Sequence, residues 1–290
     1  MLQDIVNIVS GGSLYCLITL GLALLVGLMR LMNFAYGELI MVGGFAMYLL
    51  RDQPFVVFVG GTVVAVVAVS LLTERIAFRP LRGASPVTLL VASLAVSIML
   101  QNGARMTVGP ESRGVPPSDW LQQGVAIGGA QVPRLDLVTI ALAAATLAAL
   151  TLLMRRTELG IQLRAAAEDF EMAGLLGVRA NAVIASAFAI TGVLAALVTL
   201  ILIEDQGAVT ATVGTGPVLI AFVGVVLGGM RSLVGATLGG FLLGAATTAL
   251  DVMLPNDLSP FRDAFVFAAV IAVLAFRPEG LVPGRAERLA

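Results

Sequence analysis

The chain has 290 residues and a formal net charge of −1, and it is 59% hydrophobic against 12% charged. Its mean hydropathy of +1.01 goes with far more apolar surface than a soluble domain carries (roughly 45–50% apolar, 25% charged), so lipid must solvate part of it and a water-soluble globule is excluded. All 17 cationic residues are arginine and histidine is absent, which excludes a Walker loop with its lysine, a His-based triad, a His-ligated metal and a Schiff-base lysine, while the near-neutral charge argues against a nucleic-acid partner.

The opening MLQDIVNIVSGG lacks the basic region and small-residue cleavage site of a signal peptide, so insertion is expected to use the first membrane helix itself. About nine apolar runs of spanning length follow, at 11–29, 32–50, 54–73, 87–104, 136–154, 183–203, 214–230, 233–250 and 261–276. The first holds Cys16, read as a small core residue. The second holds Asn33 and Glu38, and the last is short. The expected fold is all-α: a polytopic transmembrane bundle of about 8–10 spans, one domain over residues 1–290.

Two segments between spans are too long for simple turns. Residues 105–135 contain Pro110, Pro116, Pro117, Trp120 and Pro133, with VAIGGAQV reading as a hairpin turning at Gly128-Gly129. Trp120 suits an interfacial anchor. Residues 155–182 are too polar to span. Leu159, Leu163, Ala166, Phe170, Ala173 and Leu176 recur there at helical spacing, predicting one or two short amphipathic helices with Gly177 as a stop.

Arginine placement orients the chain. Arg75, Arg79 and Arg82 in the 74–83 loop, Arg155, Arg156, Arg164 and Arg179 in 155–182, and Arg277, Arg285 and Arg288 in the tail fall on one side when the spans alternate. That predicts a cytoplasmic C-terminus and an outside N-terminus, with 105–135 external and 155–182 cytoplasmic. Gly224 and Gly228, Gly235 and Gly239, and Gly240 and Gly244 are four apart, a spacing that lets membrane helices approach closely. No strong internal repeat is visible.

Polar residues in the spans mark the candidate chemistry. A carboxylate such as Glu38 costs roughly 2.5–3.5 kcal/mol at the bilayer centre. With Asn33, Tyr36 and Gly37 beside it, the segment reads as a locally broken helix turned toward a cavity; hydrogen bonding to neighbouring helices is the other reading. Gln101 and Asn102 close the fourth span, either touching solute or capping the helix. Thr210, Thr212, Thr215 and Pro217 precede the seventh. One buried acid is thin material for coupling to an ion gradient.

GLALLVGLMRLMNFAYGELIMVGGFAMYL, AFRPLRGASPVTLLVASLAVSIMLQN, RTELGIQLRAAAEDFEMAGLLGV, AFVGVVLGGMRSLVGATLGGFLLG and FRPEGLVPGR, in that order, resemble segments of the branched-chain amino acid type permeases of ATP-driven (ABC) importers. The resemblance implies a permease subunit with no catalytic residue and no cofactor of its own, forming half of a translocation path. ATP and Mg would be used by two cytoplasmic ATPase subunits. A second homologous permease and a periplasmic or lipid-anchored binding protein would complete a bacterial inner-membrane assembly. Asn33, Phe34, Tyr36, Gly37, Glu38, Gln101 and Asn102 would contribute to the solute path. Arg164, Glu168, Asp169, Glu171, Ala173 and Gly177 would form the ATPase-coupling loop, with Phe170, Leu175 and Leu176 as its apolar contacts. The chain departs from the family pattern at Tyr36 (usually His), Gly174 (usually Ala) and Ile220 (often Lys), which leaves urea, amides and aromatic acids open beside branched-chain and other small amino acids. An ion-coupled carrier or channel is the alternative; an intramembrane enzyme would need more acids, histidines or cysteines than Glu38 alone supplies.

Overall fold

In lipid a backbone can satisfy its polar groups only within a helix or a closed sheet, and a helix occupies each of the nine predicted spans in the computed structural model. Residues 2–29, 33–81, 83–127, 130–168, 170–230, 232–255, 257–258, 261–277 and 280–281 are described. In chain order the helices are α1 (Leu2–Met29), α2 (Tyr36–Leu50), α3 (Phe55–Thr73) continuing into a π turn (Glu74–Phe78), α4 (Pro86–Thr107), α5 (Asp119–Gln122) and α6 (Arg134–Arg156). After them come α7 (Glu158–Glu168), α8 (Phe170–Leu175), α9 (Ala180–Gln206), α10 (Thr215–Gly228), α11 (Leu233–Met253) and α12 (Arg262–Phe276). Six are long and apolar enough to cross a membrane; α2, α10 and the apolar part of α12 are shorter. The chain is an all-α, multi-pass membrane protein.

Three boundaries differ from expectation for local reasons. α1 begins at Leu2, because its polar first turns Gln3, Asp4 and Asn7 continue a helix that hydropathy alone counts only from residue 11. The start of the 74–83 loop is helical, a π turn that buries Glu74 and Phe78 and closes with Arg79 N–H on the Glu74 carbonyl at 2.7 Å. α4 runs on past residue 104, since Asn102 and Thr107 turn their side chains back onto the carbonyls of Ile98 and Gly103 (2.8 Å each).

The 105–135 segment holds β1 (Arg113–Gly114), α5, and the antiparallel pair β2 (Gly124–Ile127) and β3 (Ala130–Pro133). The predicted hairpin therefore forms; its turn at Gly128-Gly129 lies outside the described residues. β1 pairs with β4 (Ala208–Val209) beyond α9, which fixes the loop to that end of the bundle. The buried carboxylate of Glu204 accepts from Ser118 N–H there.

α1 is the most buried of the long helices and packs antiparallel against α9 and α11. Glycines permit the close contact with α11, where Gly11 lies against Thr248 and Gly240 and Gly244 of α11 lie against Thr19 and Tyr15, while Gly21 makes room for the Tyr36 ring of α2. Gly224 and Gly228 of α10 meet Gly239, Gly240 and Gly235 of α11 backbone to backbone, the contact that small residues four apart allow in lipid.

The packing has an internal correspondence absent from residue-level similarity. α1 packs on α11 as α9 packs on α3; α2 packs on α3 and α9 as α10 packs on α11 and α1. Matching lengths accompany it: 28 and 27 residues for α1 and α9, 15 and 14 for α2 and α10, 19 and 21 for α3 and α11. Because α1 and α9 run antiparallel, α1–α4 and α9–α12 are arranged as an inverted repeat, a construction common among membrane transporters.

Candidate functional site

Each half of that repeat contains a long helix, a break and a short helix. After α1 the chain turns at Asn33–Ala35: the Asn33 side chain accepts from Ala35 N–H at 3.0 Å and its carbonyl from Tyr36 N–H at 3.2 Å. α2 then starts inside the bundle. Phe34 stacks tilted on Phe222 of α10 with centroids 6.2 Å apart, and Asn33 is buried in a small cavity with Leu22, Val218 and Phe222. After α9, residues 207–214 likewise turn back into the core, burying Val209, Ala211 and Gly214, and α10 starts at Thr215. The two short helices meet at their N-termini, where Gly37 and Gly214 touch backbone to backbone and neither tolerates a Cβ.

Facing N-termini concentrate unpaired N–H groups and the positive ends of two helix dipoles. Glu38, in the first turn of α2 and 1% exposed, supplies the compensating acid. Its Oε1 accepts from Ser97 Oγ and from Gln101 Nε2, both at 2.8 Å; its Oε2 has no partner among the described residues. Gln101 Nε2 also reaches Thr215 Oγ1 at 3.5 Å, so α2, α4 and the start of α10 are joined through one amide. One helical turn or so below, Phe34 N–H donates to Ser93 Oγ at 3.3 Å. The acceptor Ser93 and the donors Ser97 and Gln101 are four apart on one face of α4.

The cluster opens outward. Asn102, Thr212, Thr215 and Gly216 are exposed and Gln101 is half-buried, although Gly37 and Gly214 lie beneath them. α4 itself packs chiefly on α2 and on the π turn and leaves most of its apolar surface uncovered. The arrangement offers an amide, hydroxyls and one acid to a small polar molecule. It holds no nucleophile–base pair, and no group of three metal-ligating side chains occurs among the described residues.

The predicted residues are therefore distributed unevenly. Asn33, Phe34, Tyr36, Gly37, Glu38 and Gln101 converge on the break. Tyr36 is fully buried, with its hydroxyl against Gly21 rather than toward the cluster. Asn102 points along its own helix. Gln101 is no end cap: it sits well inside α4 and serves Glu38. Ser93 and Ser97 join the site without having been singled out, although their four-residue spacing with Gln101 on α4 was an available signal, and Thr215 joins them from the start of α10.

At the opposite end of the bundle, α7 folds back under α6. Thr157 Oγ1 accepts from Gly160 N–H at 3.1 Å, capping α7, and Gly160 lies against the carbonyls of Leu153 and Met154, where a Cβ has no room. Leu163 and Ala166 are buried against the bundle, and Ala173 of α8 is buried too. Met172, Leu175 and Leu176 project outward at 54%, 83% and 80% exposure. Gly177, with φ +89°, ends the segment, Val178 N–H closing on the Ala173 carbonyl at 3.0 Å. Glu168 is exposed. Arg164 is exposed as well, with its guanidinium donating to the Met154 carbonyl. Asp169, and the side chains of Phe170 and Glu171, lie outside the described residues.

Comparison with known proteins agrees with this architecture. The family model for the permease component of branched-chain amino acid transport systems matches residues 4–274. The chain is 32% identical to the high-affinity branched-chain amino acid transport system permease protein BraD of Pseudomonas aeruginosa, over 99% of this chain and 96% of that protein. It is 31% identical to the corresponding LivH of Escherichia coli, over the same shares. A probable LivH of Methanocaldococcus jannaschii is 27% identical over 93% of the chain and 88% of its own length.

Proposed function

The chain belongs to the branched-chain amino acid transport permease family, and on that premise we propose that it forms half of the solute path of an ATP-driven importer. The observation that carries the reading is a polar cluster, at the meeting point of two broken helices, that opens onto the chain's own surface. A carrier that worked alone would enclose such a cluster. A surface that exposes Thr215, Gly216 and Asn102 beside Gln101 instead calls for a second permease to close the path.

Asn33, Phe34, Gly37, Glu38, Ser97, Gln101 and Thr215 line our half, with Tyr36 holding α2 against α1. The solute is a branched-chain or other small amino acid, as the names of the relatives indicate; Ile220, where family members often carry Lys, keeps related small polar solutes within range. A separate binding protein makes the tight selection. The α7–α8 segment is the coupling element: Met172, Leu175 and Leu176 seat in a groove on a cytoplasmic ATPase subunit, a mode of recognition typical of short amphipathic helices. ATP and Mg are bound by that partner. The arginine-rich face carrying α7 is cytoplasmic in the inner membrane, and the face carrying β2 and β3 receives the binding protein.

Affinity purification of the tagged chain from mild detergent tests the assembly. Recovery of ATPase subunits and a second permease is expected. Replacing Leu175→Asp and Leu176→Asp together should reduce ATPase recovery more than tenfold, since buried apolar anchors of an interface are worth roughly 2 kcal/mol or more. A stable homo-oligomer without ATPase would point to a self-sufficient carrier instead.

A further inference from the structure

On the α7 side of the bundle the ends of α1 and α6, the start of α11 and the flank of α7 enclose a cleft of about 340 Å³. Its floor is apolar, built by Ala23, Leu24 and Leu163, all buried. Gly27 faces it with open space where a side chain would stand. Two guanidiniums, Arg155 at the end of α6 and Arg164 on α7, stand among the lining residues, and none of those residues is acidic. A second groove of about 490 Å³ runs along the neighbouring face of α6 from Ala144 to Arg156 and shares Thr151 and Arg155 with the first.

We propose that this pair of grooves binds one anionic phospholipid, its phosphate between Arg155 and Arg164 and its two chains in the two apolar grooves that diverge from Arg155. Three features select that occupant. The cationic groups lie together at the α7 end of the bundle, Arg155 at the end of α6 and Arg164 on α7, and the lining beside them is chiefly apolar. Basic pockets between membrane helices favour anionic headgroups, each arginine adding to the attraction. A free anion would use the arginines but gain nothing from the walls, and a neutral lipid would use the walls but not the arginines. Arg164 also ties α7 to the Met154 carbonyl of α6, so the bound headgroup braces the fold-back of α7 that presents α8. The site depends on the chain's being a membrane protein and not on the identity of whatever docks at α8.

Native mass spectrometry of the complex purified in mild detergent tests the site, with phosphatidylglycerol and phosphatidylcholine titrated separately. One phosphatidylglycerol per chain should be retained, favoured over phosphatidylcholine by roughly 30-fold, the preference two arginines supply near a membrane surface. The double variant Arg155→Gln/Arg164→Gln should lose that preference, while Arg75→Gln/Arg79→Gln, which removes the same charge elsewhere on that face, should keep it. Gly27→Leu, which fills the apolar floor without touching charge, should lower retention of the lipid in a normally assembled complex. Equal retention of both lipids by the wild type, an unchanged preference for phosphatidylglycerol in the arginine double variant, or displacement by inorganic phosphate would each overturn the proposal. So would the absence of bound lipid with the cleft covered by the second permease.

Discussion

Glu38 is held by two donors on α4 and faces the N-termini of two helices. Replacing it with alanine strands the buried Ser97 hydroxyl, at a cost of about 1–3 kcal/mol for a buried group left unpaired, and leaves the half-buried Gln101 amide without its acceptor on α2. Glutamine keeps an acceptor for both but removes the negative charge that offsets the converging dipoles. Glu38→Ala should therefore lower both thermal stability and uptake, whereas Glu38→Gln should lower uptake by tenfold or more with a melting temperature near that of the wild type. Uptake in reconstituted vesicles and a melting curve in detergent separate the two. Full uptake by the glutamine variant would make Glu38 a purely structural acceptor. The reach of sequence reasoning is clearest at this residue. Asn33, Gly37 and Glu38 stand out as polar or small groups in an apolar run, and a broken helix follows from them. Ser93 and Ser97 do not, because serine is nearly neutral in hydropathy and bonds to its own helix as readily as across to another. Gln101 stands out as a polar group late in an apolar run, but hydropathy alone leaves it open between solute path and end cap; it lies six residues before the end of α4, where it donates to Glu38.

At the scale of elements, α7 depends on one glycine. Gly160 N–H is capped by Thr157, and its missing side chain leaves room for the Leu153 and Met154 carbonyls as the chain reverses. A larger residue has only backbone to push against, and overpacking of this kind costs about 1–3 kcal/mol. Gly160→Val should lift α7 and α8 from the bundle, removing ATPase co-purification while the nine apolar helices remain folded; limited proteolysis should cut first between residues 157 and 180. Intact α7 with normal ATPase recovery would show that the fold-back is not needed for docking. Gly37→Ala is the counterpart at the other site. Its methyl group would press on the Gly214 carbonyl and Val218, separating the two half-helices, so uptake should fall while ATPase recovery stays normal. Retained uptake would mean that the two N-termini need not touch. The helices themselves were legible from apolar run length, and α8's end from Gly177. The π turn was not, because one extra residue in a helical turn leaves no mark on an apolar run, nor were the two-residue strands β1 and β4, whose pairing joins residues distant in sequence and leaves no periodic pattern.

At the scale of the whole molecule, the inverted repeat puts the start of α1 and the end of α12 at opposite ends of the bundle. α1 and α9 are antiparallel, and four spans correspond to four with α6 between them, so an odd number of crossings separates the termini. The β2–β3 hairpin and the exposed Trp120 lie at the end where α1 begins, and α8 lies at the end where α1 finishes. No residue-level similarity announced this, since the two halves share helix lengths and packing partners rather than side chains. Orientation can be read with a thiol probe because the only cysteine, Cys16, is buried. In a Cys16→Ser background, Trp120→Cys should react with a membrane-impermeant maleimide added to the outer face of the membrane that holds the chain. Leu176→Cys, 80% exposed in the isolated chain, should react only after the membrane is opened, and then less readily when ATPase subunits are bound. The reverse pattern would turn the molecule over and move the docking face of α8 outside. Labelling of both sites from one side would break the odd crossing number, and with it the assignment of α2 and α10 as halves of a single path.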